Sequence, residues 1–187
     1  MISIKDDRKY LILKDIRNYI SLGFKVLLLH PGEKRPLYDK ELQPNGFYNA
    51  TDDYNKLEKL VNKYPNSNIG IRTGKESNIS VFDFDDYDNN LDDLLKKGLR
   101  PGNSLKWKTP HGVHIILQYN SRIPTRTNFL PRLDIKNDGG YVVAPPSEVK
   151  CDGSKHHDNK PCNQAFYEQE YDFLEFPPIT KFEDWKL

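Results

Sequence analysis

The sequence predicts an α/β layered fold, α+β in arrangement, on three observations. Residues 6–22 and 51–64 carry apolar side chains at helical spacing, and several short runs rich in Val, Ile, Phe and Tyr read as strands. Helical and strand patterns alternate early in the chain, whereas strands dominate later. At 187 residues there is length enough to bury a proper core, and 12% aromatic residues set the chain apart from disordered sequences despite a hydrophobic fraction of only 36%.

The first helix is expected over 6–22, with Leu13, Ile16 and Ile20 as its apolar stripe and Gly23 as its stop. KVLLL (25–29) suits a buried strand, and the Pro-, Gly- and charge-rich stretch after it reads as a long basic loop. Thr51 is the expected cap of a second helix, which has an acidic first turn, a Leu57, Leu60, Val61, Tyr64 stripe, and Pro65 as its end. NIGIR and ISVFDFD are strands, a short helix is expected around Leu91, Leu94 and Leu95, and SLKWKT, VHIILQY, LDIKN and YVVA follow as strands. Pro145 and Pro146 break the last of these. The order suggests an N-terminal αβ lobe over about residues 1–75, packed on an RRM-like, mainly antiparallel sheet over 76–187, with residues 150–163 as a projecting loop.

Composition narrows the function classes. Lys and Arg total 28 against 27 Asp and Glu, so a nucleic-acid site would have to arise from local segregation of charge. No run of about 18 apolar residues could span a bilayer, and MISIKDDRKY is too acidic for a secretory signal, so no membrane association and a cytoplasmic location are expected.

Side chains alternate along a strand, so Asp83 and Asp85 share one face of ISVFDFD while Phe82 and Phe84 point to the other. Two carboxylates side by side repel unless a cation neutralises them, and a hard divalent metal with oxygen ligands answers that need. An acidic run is usually just solvated, and Asp86 and Asp88 follow here. On VHIIL, His114 takes the polar face; on LDIKN, Asp134 and Lys136 do. If these strands adjoin, Asp83, Asp85 and Asp134 converge on a metal pair with His114 beside it as a donor to phosphate; alone, His114 reads as an ordinary satisfied histidine. In NIGIRTG, Ile69 and Ile71 point inward, Arg72 outward toward phosphate or solvent, and Thr73-Gly74 lets the backbone approach a ligand. Lys34 and Arg35 sit in PGEKRP, and Lys106 and Lys108 are expected near the acidic cluster with Trp107 on the other face.

Cys151, His156, His157 and Cys162 form C-x4-H-H-x4-C, a ligand set for tetrahedral zinc; a flexible loop with free thiols or a disulfide are the alternatives.

In order along the chain, GEKRP, NIGIRTG, VFDFD, TPHGVH and DIKNDGGYVVAPPS resemble the landmarks of the bifunctional primase-polymerase (Prim-Pol) family of the archaeo-eukaryotic primase superfamily, from about residue 23 to 176. The resemblance implies metal ligands at Asp83, Asp85 and Asp134 for two Mg²⁺ or Mn²⁺ ions, and a phosphate-contacting His114. It also implies a nucleotide site lined by segments holding Lys34, Arg72, Thr73 and Gly74. Gly112 stands where the superfamily often has a serine, and its backbone N–H is the expected replacement donor. The activity implied is template-directed nucleotidyl transfer from dNTPs or NTPs to a 3′-hydroxyl on a DNA template and primer. A plasmid, virus or similar element is the expected setting, nucleoid-associated, with a helicase or helical accessory domain in cis or trans. Competing readings are a non-catalytic nucleic-acid-binding module and a D-x-D phosphotransferase, whose D-x-D-x-[TV] pattern fails at Tyr87. A replication endonuclease is a third, but HGVH lacks its His-hydrophobic-His spacing.

Overall fold

The computed structural model describes residues 4–85, 104–149 and 167–169. It is α+β, with two α-helices and two antiparallel sheets among those residues. The chain divides into two compact units, Met1–Arg72 with Tyr141–Glu168, and Thr73–Gly140 with Gln169–Leu187. The helix expected around Leu91 and the Cys151, His156, His157, Cys162 set lie outside the described residues.

In the first unit, helix α1 (Ile4–Ser21) ends in a Schellman motif. Gly23 adopts φ +82°, its N–H donates to the carbonyl of Ile20 at 2.9 Å, and the N–H of Phe24 reaches back to Tyr19 at 3.0 Å. The hydrophobic contact that accompanies this motif is a stack of the Tyr19 and Phe24 rings, 6.3 Å apart. It helps bury Ile12, Ile16 and Tyr19 rather than the expected Leu13, Ile16 and Ile20, a small rotation of the helix about its axis. Tyr19 then donates its hydroxyl to the carbonyl of Pro145 at 2.8 Å.

Helix α2 (Tyr54–Lys63) buries Leu57, Leu60 and Val61 as expected, but its cap is Asp53, whose carboxylate accepts from the N–H of Lys56 at 3.2 Å. Thr51 is held two residues earlier, its backbone exchanging hydrogen bonds of 2.8 Å with Val26 in strand β1 (Val26–Leu29).

Strand β1 pairs antiparallel with β2 (Asn68–Arg72), which pairs antiparallel with β8 (Tyr141–Ala144). YVVA therefore belongs to the first unit, not to the later sheet in which chain order placed it. Ile69, Ile71, Val142 and Val143 are buried, and a side chain on Gly70 would collide with Leu27 and Leu29.

The other edge of β1 would leave orphan backbone groups, which are costly when buried. The stretch expected as a long basic loop closes it. Gln43 is buried and works as a substitute strand: its carbonyl oxygen accepts from the N–H of Leu28 at 2.9 Å, and its amide donates to the carbonyls of Leu28 at 2.8 Å and Leu37 at 2.6 Å. Asp39, also buried, accepts from the backbone N–H of Glu41 and Leu42, from Lys63 at 2.6 Å and from the Tyr64 hydroxyl at 3.0 Å.

The second unit is built on one sheet, in the order β6 (Arg126–Leu130), β7 (Leu133–Lys136), β3 (Ile79–Asp85), β5 (Gly112–Gln118), β4 (Lys106–Thr109), with β9 (Glu168–Gln169) at the edge. Phe82 and Phe84 bury one face against Val113, Ile115, Leu117, Leu133 and Ile135, with Ile123, Phe129 and Leu130 packed around them. Truncating either phenylalanine to alanine would cost about 3–5 kcal/mol. That apolar face fixes the register, and the register turns the alternate residues of β3 to the other side.

Candidate active site

Antiparallel pairing puts Asp83 directly opposite His114 on β5 and directly opposite Asp134 on β7. Directly paired residues project from the same face, so an imidazole and two carboxylates stand in a row across three adjacent strands. With strands about 4.8 Å apart, the row spans on the order of 10 Å. Asp85 lies two residues further along the same face, opposite Gly112, and Lys136 stands opposite Val81.

Like charges directly opposite each other destabilise a sheet. Here each is offset by a partner. Asp83 accepts from Nε2 of His114 at 3.1 Å, and Asp134 pairs through Oδ2 with Lys136 at 2.8 Å and through Oδ1 with the backbone N–H of Asn128 at 2.8 Å. The side chains of Asp83 and Asp134 are each 26% exposed, so water reaches both.

His114 is almost fully buried, at 4% exposure, and its other ring nitrogen is also engaged. Nε1 of Trp107, the residue paired with it on β4, donates to Nδ1 at 2.8 Å, and the two rings meet edge to face, 6.0 Å between centroids. Trp107 thus shares the acidic face. Lys106 and Lys108, opposite Ile115 and Val113, project to the phenylalanine side instead of toward the carboxylates.

Two residues beside the carboxylates have backbones in the left-handed region that L side chains rarely adopt: Asn128 at φ 51° and Arg132 at φ 61°. Arg132 follows Pro131 in the tight β6–β7 turn, and its carbonyl accepts from the N–H of Asp85 at 2.9 Å. Conformations of this kind persist where the surroundings over-determine them, and they concentrate at functional sites.

The remaining sequence candidates are Arg72 and Lys34 in the first unit and Thr73 and Gly74 at the start of the second. Arg72, at the end of β2 in the first unit, places its guanidinium 5.3 Å from the ring centroid of Tyr48 and 5.7 Å from that of Phe47, and donates to the carbonyl of Tyr48 at 3.4 Å. Lys34 is exposed in the same unit, and its carbonyl accepts from the Tyr141 hydroxyl at 3.1 Å. Thr73 is buried and donates its hydroxyl to the carbonyl of Asn137 at 2.6 Å. Gly74, at φ +85°, packs against Asp138, whose carboxylate accepts from the N–H of Lys75 at 3.0 Å. Both Thr73 and Gly74 are engaged in tying the start of the second unit to its Asn137–Asp138 turn.

Among the described residues, no group of three or more His, Cys, Asp or Glu side chains is gathered as a metal cluster. Asp83 turns to His114 and Asp134 to Lys136. The donor chemistry nevertheless fits a hard divalent ion: three carboxylates on one face, two of them cross-strand partners. Trp107 is the residue that sequence reasoning missed, because its side of the sheet depends on strand register.

Among the described residues, no helix is long and apolar enough to cross a membrane. No curated protein matches the chain. The family model for bifunctional DNA primase/polymerase, N-terminal (Prim-Pol), matches residues 16–169, a span that takes in both sheets and every residue of the acidic face. The chain belongs to the Prim-Pol family, and its function is of the DNA primase/polymerase type.

Proposed function

We propose that the chain is a nucleotidyltransferase that adds dNTPs or NTPs to a 3′-hydroxyl on a DNA template, in the replication of a plasmid, virus or similar element. The observation that carries this reading is the direct pairing of Asp83 with Asp134, with Asp85 next on the same face. Mg²⁺ or Mn²⁺ held by these three carboxylates would supply the positive charge that activates the attacking hydroxyl and stabilises displacement at the α-phosphate.

The chain's own residues would do the rest. Asp134 would exchange Lys136 for the incoming cation, leaving that ammonium, 2.8 Å away, to meet a phosphate oxygen. His114 offers its Nε2–H toward the same space. Arg72 and Lys34 are proposed to add positive charge for the triphosphate or the DNA backbone. The Cys151, His156, His157, Cys162 set is proposed to bind structural zinc, to be checked by elemental analysis of the purified protein.

Primer extension on a single-stranded template, in Mg²⁺ or Mn²⁺ and with or without a supplied 3′-hydroxyl, tests the reading. Incorporation that stops in excess chelator is expected. Full incorporation in chelator, or none with either metal, would contradict it.

A further inference from the structure

A buried indole N–H needs an acceptor, and Trp107, fully buried, has found one in Nδ1 of His114 at 2.8 Å. The direction of this bond has a chemical consequence. Indole nitrogen can only donate, so Nδ1 must accept with its lone pair and the ring proton must sit on Nε2. Nε2 is the nitrogen that faces Asp83 at 3.1 Å. A proton on Nδ1 would oppose the indole N–H and leave a lone pair on Nε2 aimed at a carboxylate.

We propose that Trp107 is a positioning residue: by holding Nδ1 it fixes His114 in the Nε2–H tautomer and makes it a hydrogen-bond donor to the anion in front of it. That anion is Asp83 in the free protein and, resting on the nucleotidyltransferase reading above, a nucleotide phosphate during the reaction. Outer partners that fix the tautomer of a functional histidine play this part in metal sites, and their loss lowers activity or metal affinity by about 10–100-fold. The arrangement is encoded by pairing, since Trp107 and His114 are direct partners across β4 and β5. It also explains a tryptophan on the polar face of a strand, where its bulk alone would suit the phenylalanine side equally well.

The test is nitrogen-15 NMR of the imidazoles in protein free of metal and nucleotide, where the tautomer is read directly. The chain has five histidines, and the His114 signals are assigned by their loss in His114→Gln. Wild-type protein should show His114 as a single Nε2–H tautomer, and Trp107→Phe, which removes the N–H but keeps a ring, should show a mixture. In primer extension, Trp107→Phe should lower kcat/KM by about 10–100-fold, mainly through KM. The same change in a His114→Gln background, where an amide N–H stands in for Nε2–H and no tautomer exists, should cost little more. A wild-type His114 carrying its proton on Nδ1 overturns the proposal even if Trp107→Phe fails to fold. So does a Trp107→Phe loss that is as large in His114→Gln as in wild type, since that is the signature of packing alone. The NMR result stands whether or not the protein proves to be a polymerase.

Discussion

Asp39 in the first unit and the Asp83–Asp134 pair in the second place acidic side chains in opposite kinds of surroundings. Asp39 is 2% exposed and accepts four hydrogen bonds, two from backbone, one from Lys63 and one from Tyr64. Its pKa is driven far below the usual carboxylate range, first by the Lys63 ammonium and then by the N–H of Leu42, with Glu41 and Tyr64 adding to it against the cost of burial. Asp83 and Asp134 oppose each other across two strands, a quarter exposed, where Asp83 meets His114 and Asp134 meets Lys136. The difference separates an acid that holds a loop in place from acids held close together against their mutual repulsion. A fold tolerates the second arrangement most readily where a cation is to be bound.

The largest effect should come from breaking the crowded side of this contrast. Asp83→Ala, Asp85→Ala and Asp134→Ala are each expected to reduce nucleotide incorporation to background while the melting temperature changes little, because relief of like-charge repulsion offsets the hydrogen bonds lost to His114, Asn128 and Lys136. Asp39→Ala should do the reverse. It leaves Lys63, Tyr64 and two backbone N–H groups without their acceptor and should lower stability by about 3 kcal/mol, measured by urea unfolding, with incorporation by the folded fraction retained.

The same contrast has a pH signature. A depressed carboxylate pKa contributes stability that is fully present above the unfolded value of about 3.9 and is lost as pH falls toward the folded one. Asp39→Asn should therefore be less stable than wild type at neutral pH and converge with it in acid. Asp15, on α1, is expected to behave with the opposite sign and a smaller amplitude. Burial raises its pKa to about 6, against the lowering effects of Lys14 and Asn18. A raised acid destabilises the fold as pH climbs from about 4 through 6, so Asp15→Asn should melt higher than wild type at pH 7 and no higher at pH 4.

Much of this was readable in the sequence, and where it was not the reasons are physical. Strand alternation in ISVFDFD assigns Asp83 and Asp85 to one face and Phe82 and Phe84 to the core. Alternation within one strand cannot say which strands adjoin, so the meeting of Asp83 with both His114 and Asp134 had to be conditional on pairing. Trp107 and the flanking lysines were turned the wrong way relative to the acids for the same reason. Thr51 and Asp53 are both good caps, and the choice fell to Asp53 because Thr51 pairs with Val26. YVVA follows LDIKN closely in the chain, yet it returns to β2, a long-range pairing that no local pattern records. Gln43 and Asp39 sit in a stretch whose composition reads as solvent-facing, and their burial follows from the open edge of β1.

The Asp83, Asp85 and Asp134 face is proposed to bind a divalent cation. Thermal unfolding of wild type and of Asp134→Ala with increasing Mn²⁺, without nucleotide or DNA, tests it most directly. A cation that binds only the folded state at about 100 times its Kd adds about 2.7 kcal/mol, which for a chain of this size is about 5–10 °C. Wild type should show such a rise and Asp134→Ala should show little or none. An equal rise in both proteins, or none in wild type, would contradict the account.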